Sequence, residues 1–212
     1  MINILLVDDH KLVRTGVRKI LADERGLKVI GEVENGEEAI KFCRQTEPDI
    51  ILMDIDMPGI GGLEATKKIC RLCPDTKILI LTSHCEDPFP TKVMKIGAAG
   101  YLTKDAPANE MINAIRSVHC GQRYITPDIA QKMALNKSQS DNPFTDLSER
   151  ELQIMVMVTR GEKVTDVAEQ LNLSSKTVNS YRYRMFEKLN ISNDVELTHL
   201  AIQYGVIETI KL

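Results

Sequence analysis

Residues 49–59 read DIILMDIDMPG, and this stretch decides the architecture. From Asp49 to Met53 the run is apolar on both faces, the texture of a strand buried on both sides in a parallel sheet. It ends on Asp54, after which Asp56-Met57-Pro58-Gly59 turns the chain away. Similar runs lie outward from it at Ile2–Val7, Lys28–Val33, Lys77–Leu81 and Gly100–Leu102. Between them apolar residues recur at helical spacing: Leu12, Val13, Val17, Ile20 and Leu21; Ala39, Ile40 and Cys43; Leu63, Thr66, Ile69 and Cys70; Val93, Met94 and Ile96; Met111, Ile112, Ile115 and Val118. Five strands alternating with five helices predict an α/β domain of (βα)5 type with a parallel five-stranded sheet over residues 1–120.

The pattern lapses over residues 121–143, which read as a linker. Asn136 to Pro143 (NKSQSDNP) is polar and free of large apolar residues, while Ile129, Met133 and Leu135 are spaced to extend a helix from the first domain. Periodicity resumes over residues 144–212 without strands, predicting a small all-α domain. Ser148 and Glu151 form a capping box at one helix start, and further helices are expected at Thr165–Leu171, Ser175–Leu189 and Asn193–Tyr204.

At 212 residues, 43% hydrophobic and 27% charged, the chain suits two ordinary soluble domains. Its net charge of −3 excludes a blanket nucleic-acid coat, so any DNA contact needs a local basic face. No run approaches the ~20 apolar residues of a membrane span, and none reads as a secretory signal. The five scattered cysteines fit reduced thiols in a cytoplasmic protein. Cys70 and Cys73 form a CxxC but have no second pair and no nearby histidine, so no metal or redox role is expected.

Ligands of open α/β sheets bind beyond the carboxyl ends of the strands. Those ends carry Asp8 and Asp9, then Asp54, then Thr82, then Tyr101 and Lys104. Clustered carboxylates repel one another unless a cation sits among them, and Mg²⁺ prefers such hard oxygen ligands. Asp8, Asp9 and Asp54 with the Asp56 carbonyl make a candidate Mg²⁺ set. Lys104 and Thr82 would meet a further anion, and the chemistry this suits is phosphoryl transfer to Asp54. The plainer alternative is that a strand-end Asp merely caps the next helix, as Asp9 is placed to do.

These residues lie in motifs that resemble the response-regulator receiver domain: VDDH at 7–10, LMDIDMPGIGGLE at 52–64, LTSH at 81–84 and GYLTKD at 100–105. The resemblance implies a flavodoxin-like fold, with Asp54 as phosphoacceptor and Asp8, Asp9, Asp54 and Asp56 holding Mg²⁺. It also implies that Thr82 and Tyr101 are a switch pair, that Lys104 senses phosphate, and that Asp56 and His84 tune dephosphorylation. LSERE at 147–151 and VAEQLNLSSKTVNSYRYRMFEKLNI at 167–191 resemble the LuxR-type helix-turn-helix of the NarL/FixJ class. RTGVRKILAD, EDPFP, GAAGYLTK, GQRYI and KTVNSYRYRMFEKL are similar to the GacA/UvrY/SirA/LetA branch of that class.

That branch implies a two-component transcription regulator, not an enzyme. Its implied partners are a BarA/GacS-type hybrid sensor histidine kinase, double-stranded promoter DNA and RNA polymerase, with a homodimer as the active form. Its implied targets are small regulatory RNA genes of a CsrA/RsmA pathway, with effects on virulence.

Within 175–189, Val178, Tyr181, Met185 and Leu189 form one stripe for the core. Lys176, Thr177, Asn179, Ser180 and Tyr183 are then available to DNA, with Asn179 a candidate adenine reader and Arg182, Arg184 and Lys188 as phosphate contacts. Over 176–188 four cations face one anion, although charge alone equally describes a solvated helix. The last helix carries Val195, Leu197, Leu200, Ala201 and Tyr204, more apolar residues than one face needs, which suits pairing of subunits on DNA. Two rival readings stand here. One is a haloacid-dehalogenase-type phosphatase, which needs a second Asp where Asp56 sits but has its nucleophile on the first strand and a substrate cap. The other is a DNA-binding protein whose receiver is purely structural.

Overall fold

In the computed structural model, described over residues 1–136 and 142–207, the apolar runs become β1 (Ile2–Val7), β2 (Leu27–Val33), β3 (Ile50–Met53), β4 (Lys77–Thr82) and β5 (Gly100–Thr103). The sheet has six strands rather than five: β6 (Tyr124–Ile125) pairs parallel to β5 at the edge, giving the order β2-β1-β3-β4-β5-β6 with every pair parallel. Two residues are too few to show a period, so β6 left no mark in the sequence pattern.

Helices α1 (Lys11–Ala22), α2 (Gly36–Thr46), α3 (Gly61–Leu72), α4 (Phe89–Ile96) and α5 (Ala108–His119) connect the strands. Helix α6 (Pro127–Asn136) is separate from α5, which stops where Gly121 takes a positive φ of 82°. Much of the expected linker is therefore structured: β6 and α6 lie within it or lead into it. Residues 137–141 of that stretch are outside the described residues.

The chain divides into two compact units, Met1–Cys85 with Val93–Ala130 and Glu86–Lys92 with Gln131–Leu212. In the first, alternation along the strands sends Ile4, Leu6, Ile50, Leu52, Leu79, Leu81 and Leu102 to one face. There they pack with Leu21 of α1 and with Met111, Ile112, Ile115 and Val118 of α5. The alternate residues Leu5, Val7, Ile51, Met53, Ile78 and Ile80 are buried as well. Both faces being covered explains why these strands read as continuous apolar runs.

A short 3₁₀ turn (Pro143–Asp146) opens the helical part of the second unit, followed by α7 (Glu149–Thr159), α8 (Val164–Gln170), α9 (Ser175–Leu189) and α10 (Asp194–Gln203). The capping box expected at Ser148 and Glu151 is present, and Ser174 and Asn193 cap α9 and α10. Helix α7 is buried from Leu152 to Val158 apart from Gln153, so the other helices are built around it. Asn172, in the turn between α8 and α9, adopts φ 52°, a left-handed conformation that asparagine tolerates. No helix among the described residues is long and apolar enough to cross a membrane.

Candidate acidic site and nucleic-acid interface

The strand ends bring the expected residues of the first unit together. Asp54, just past β3, is 2% exposed; Lys104, just past β5, donates from Nζ to its Oδ2 at 2.7 Å. The same Nζ lies 2.7 Å from Oδ2 of Asp8, so one ammonium bridges carboxylates from two strands. The other Asp54 oxygen accepts from the Ile55 amide at 2.7 Å, and Asp8 Oδ1 accepts from the His10 amide at 2.7 Å. Asp9 Oδ1 is enclosed and forms no hydrogen bond, although His10 Nδ1 stands 2.8 Å away. His10, not Asp9, occupies the N-cap of α1, and no side chain caps that helix. Asp9 is thus not a cap, and its carboxylate is left for the cluster.

Oxygen donors of Asp8, Asp9 and Asp54, with a nitrogen of His10, all lie within 4.8 Å of one another. Two features fit an oxygen-seeking dication such as Mg²⁺: the hard donor set, and an enclosed carboxylate oxygen with no donor of its own. His10 belongs to the same VDDH stretch, but its spacing alone does not mark it as part of the group.

Burial pushes the Asp54 carboxyl up to about 6; Lys104 pulls it down, and Asp8 and Asp56 push it up again. Burial also disfavours the Lys104 ammonium, but Asp54 and Asp8 outweigh it and raise its pKa. The site is short of positive charge. One lysine serves two carboxylates, with a third near at hand.

Thr82 and Tyr101 are both fully buried. Tyr101 donates its hydroxyl to the His84 carbonyl at 2.8 Å, and Thr82 Oγ1 accepts from the His84 amide at 3.4 Å. The His84 ring meets Asp56 Oδ1 at 2.9 Å, so the Asp56 carboxylate faces His84 while the acidic group forms without it. Residue 84 thereby touches the hydroxyl pair and the turn after Asp54, a coupling that spacing alone did not reveal. On the other side, a Cβ added to Gly62 at the start of α3 would fall 1.8 Å from the Asp54 carbonyl oxygen, so only glycine fits there.

Elsewhere in this unit, the CxxC thiols of Cys70 and Cys73 are free and burial raises both, while burial drives Cys43 up to about 12. A thiol so reluctant to ionise is a poor nucleophile.

In the second unit, Val178, Met185 and Leu189 of α9 are buried as their spacing required, and Phe186 joins them. Tyr181 is only half-buried, with Arg184 stacked 5.5 Å from its ring centroid. Lys176, Ser180, Tyr183 and Arg184 are exposed; Tyr183, at 69%, is the most exposed large hydrophobic side chain of the helix. Thr177 and Asn179 are half-buried beside them.

Two of the expected phosphate contacts are engaged within the unit. Arg182 pairs with Asp194 at the start of α10 and donates to Asn179 Oδ1 at 2.6 Å; Lys188 donates to Glu151 of α7 at 2.7 Å. On α10, Leu197 and Ala201 face inward, Tyr204 meets Phe144 edge-on at 6.0 Å, and Val195 stays 64% exposed.

Residues 4–116 match the response regulator receiver domain, and residues 145–201 match the bacterial regulatory proteins of the luxR family. Response regulator UvrY of Escherichia coli K12 is 62% identical over 97% of this chain and 96% of its own length. Response regulator GacA of Pseudomonas aeruginosa PAO1 is 54% identical over 98% and 99%. The chain is a LuxR-type response regulator. It falls within the GacA/UvrY branch, a group of two-component transcription regulators rather than enzymes.

Among solved structures, this regulator is similar to a LuxR-family two-component response regulator from Aurantimonas sp. SI85-9A1, with TM-score 0.62 and 40% identity over 64% of this chain and 97% of that one. It is also similar to RcsB from Salmonella enterica serovar Typhimurium bound to promoter P1flhDC in the presence of phosphomimetic BeF3⁻, with TM-score 0.70 and 25% identity over 94% and 97%.

Proposed function

We propose that Asp54 accepts a phosphoryl group from a sensor histidine kinase and that this controls promoter binding through α9. The observation that carries the reading is the single Lys104 ammonium held 2.7 Å from both Asp54 and Asp8. In the reaction an Asp54 carboxylate oxygen attacks phosphorus, the P–N bond of the donor phosphohistidine breaks, and its electron pair returns to the imidazole. Asp8, Asp9 and Asp54, with the Asp56 carbonyl, are the residues assigned to hold Mg²⁺, which when bound supplies positive charge to the carboxylates and phosphoryl oxygens.

Lys104 then moves its ammonium from carboxylate to phosphoryl oxygen. Thr82 donates its hydroxyl to another phosphoryl oxygen, and Tyr101 changes its hydrogen bond with residue 84. Asp56 and His84, paired across the site, govern how water reaches the acyl phosphate.

On α9, Lys176, Thr177, Asn179, Ser180 and Tyr183 are assigned to the major groove and Arg184 to a phosphate, while Arg182 and Lys188 support them from within the unit. Binding to pseudo-palindromic promoters as a homodimer through α10 and Val195, and recruitment of RNA polymerase, complete the reading. Similarity to UvrY and GacA supports the finer assignments: a cytoplasmic regulator, a BarA/GacS-type hybrid kinase and target small-RNA genes of a CsrA/RsmA pathway.

The test is incubation with acetyl phosphate and Mg²⁺, read by intact-protein mass spectrometry and promoter footprinting. The wild type is expected to gain one phosphate and bind more tightly, and Asp54→Asn to do neither. A wild type that gains no phosphate, or an Asp54→Asn protein that is phosphorylated or activated as fully as wild type, overturns the reading.

A further inference from the structure

Arg14 is out of place for a surface helix. It is 7% exposed, more buried than Val13 and Val17 on either side of it in α1. Burying a guanidinium is costly unless its hydrogen bonds are met. Here Nη2 pairs with Glu34 just past β2, while Nε lies 3.8 Å from Glu32 Oε2 and makes no hydrogen bond. The remaining donor is directed elsewhere: Nη1 donates to the backbone carbonyl of Asp8 at 2.5 Å.

That carbonyl belongs to the peptide joining Asp8 to Asp9. The Asp8 amide already donates to the Val33 carbonyl at 3.2 Å, and its carboxylate is held by the His10 amide and Lys104. Fixing the carbonyl as well fixes the Asp8–Asp9 peptide plane, and with it the N–Cα bond about which the Asp9 side chain is placed. Asp9 Oδ1 accepts no hydrogen bond, and the His10 ring 2.8 Å away is itself exposed, so the backbone is left to aim the carboxylate.

We propose that Arg14 is a positioning residue for the divalent-ion site, acting through the Asp8–Asp9 peptide to hold the Asp9 carboxylate toward Asp54. The proposal rests on the reading of Asp8, Asp9 and Asp54 as an Mg²⁺ site. It goes beyond that reading in giving a buried cation a part in binding another cation. Coulomb's law alone predicts the opposite: removing a positive charge near a dication site tightens it. The sign of the effect therefore separates positioning from simple electrostatics.

The experiment measures Mg²⁺ affinity by calorimetry, Mn²⁺ affinity by electron paramagnetic resonance, and thermal unfolding in chelator, for the full chain. Arg14→Met keeps the aliphatic stem and removes the donors; it is expected to weaken both ions about 10-fold or more, the usual cost of losing an outer-shell partner. Arg14→Lys is expected to recover part of the loss, and Glu34→Gln, which leaves the Asp8 bond in place, to weaken binding less than Arg14→Met.

Tighter or unchanged ion binding in Arg14→Met, whatever its melting temperature, overturns the proposal. If Arg14→Met does not fold, Arg14→Lys decides: affinity equal to wild type overturns the proposal, and weakened affinity in a folded protein supports it. A wild type that binds neither ion removes the underlying site reading itself, whereas a binding wild type with indifferent Arg14 variants removes only the positioning role.

Discussion

Asp54 and Glu151 are both buried carboxylates, each meeting a lysine Nζ at 2.7 Å, yet their acidities move in opposite directions. Burial raises Asp54 to about 6 in spite of Lys104, because Lys104 is shared with Asp8 and because Asp8 and Asp56 add like charge. Burial also acts on Glu151, but Lys188 and the Ser148 backbone and hydroxyl outweigh it and bring the carboxyl below its usual range. The same ion pair is thus structural where one cation and a helix cap meet one anion, and chemically poised where one cation must serve two.

The largest effect that would test this contrast is at the poised site. Asp54→Asn is expected to lose all phosphate incorporation from acetyl phosphate, while Glu151→Ala retains it; labelling of Asp54→Asn would break the comparison. The structural site shows its effect in stability instead. Glu151→Ala leaves the Ser148 amide without its acceptor and Lys188 without its partner. Lys188 is exposed, so its stranded charge is solvated, and a loss of about 2 kcal/mol in denaturant unfolding is expected. Asp54→Asn is not expected to lose stability on that scale.

On α9, Arg184→Ala is expected to reduce the salt dependence of DNA binding by about one unit of log–log slope, the signature of one lost phosphate contact. Arg182→Ala is expected to leave that slope unchanged and to cost about 1 kcal/mol of stability through Asp194. Footprint titrations at several salt concentrations would expose a reversal of the two.

The smallest effect is in pH. Asp54, raised from 3.8 to about 6, subtracts from metal-free stability as pH rises through that window, and Asp54→Asn lacks this loss. The advantage of Asp54→Asn in chelator is expected at pH 7 and should shrink toward pH 4. Glu151 acts in the opposite sense: its contribution is full above 4.5 and falls away as pH drops through its lowered value. Unfolding curves of the two variants from pH 7 to 3.5 check both slopes.

Much of this was legible in the sequence because the decisive features repeat. Runs such as Ile50–Met53 are long enough to show their period, and Asp8, Asp54, Thr82 and Lys104 each stand at a strand end, where topology brings them together. Features set by single long-range contacts were not legible. Strand β6 is too short to carry alternation, and Phe186 lies off the stripe that the spacing marked. The engagement of Arg182 by Asp194 and of Lys188 by Glu151 depends on how helix packing brings together residues 12 and 37 positions apart in sequence. Arg14 is spaced like any other charge on an amphipathic helix, and nothing local announces that its guanidinium turns inward.

The glycine at position 62 has a consequence for how strain can travel. With the α3 backbone seated against the Asp54 carbonyl, that flank has no slack for a methyl group, and so none for recoil of the acceptor's main chain. The opposite flank is made of side-chain hydrogen bonds instead: His84 with Asp56, the Tyr101 hydroxyl with the His84 carbonyl, and the His84 amide with Thr82. Under the proposed phosphorylation, bulk added at the carboxylate is expected to displace those hydrogen bonds before it displaces the α3 backbone.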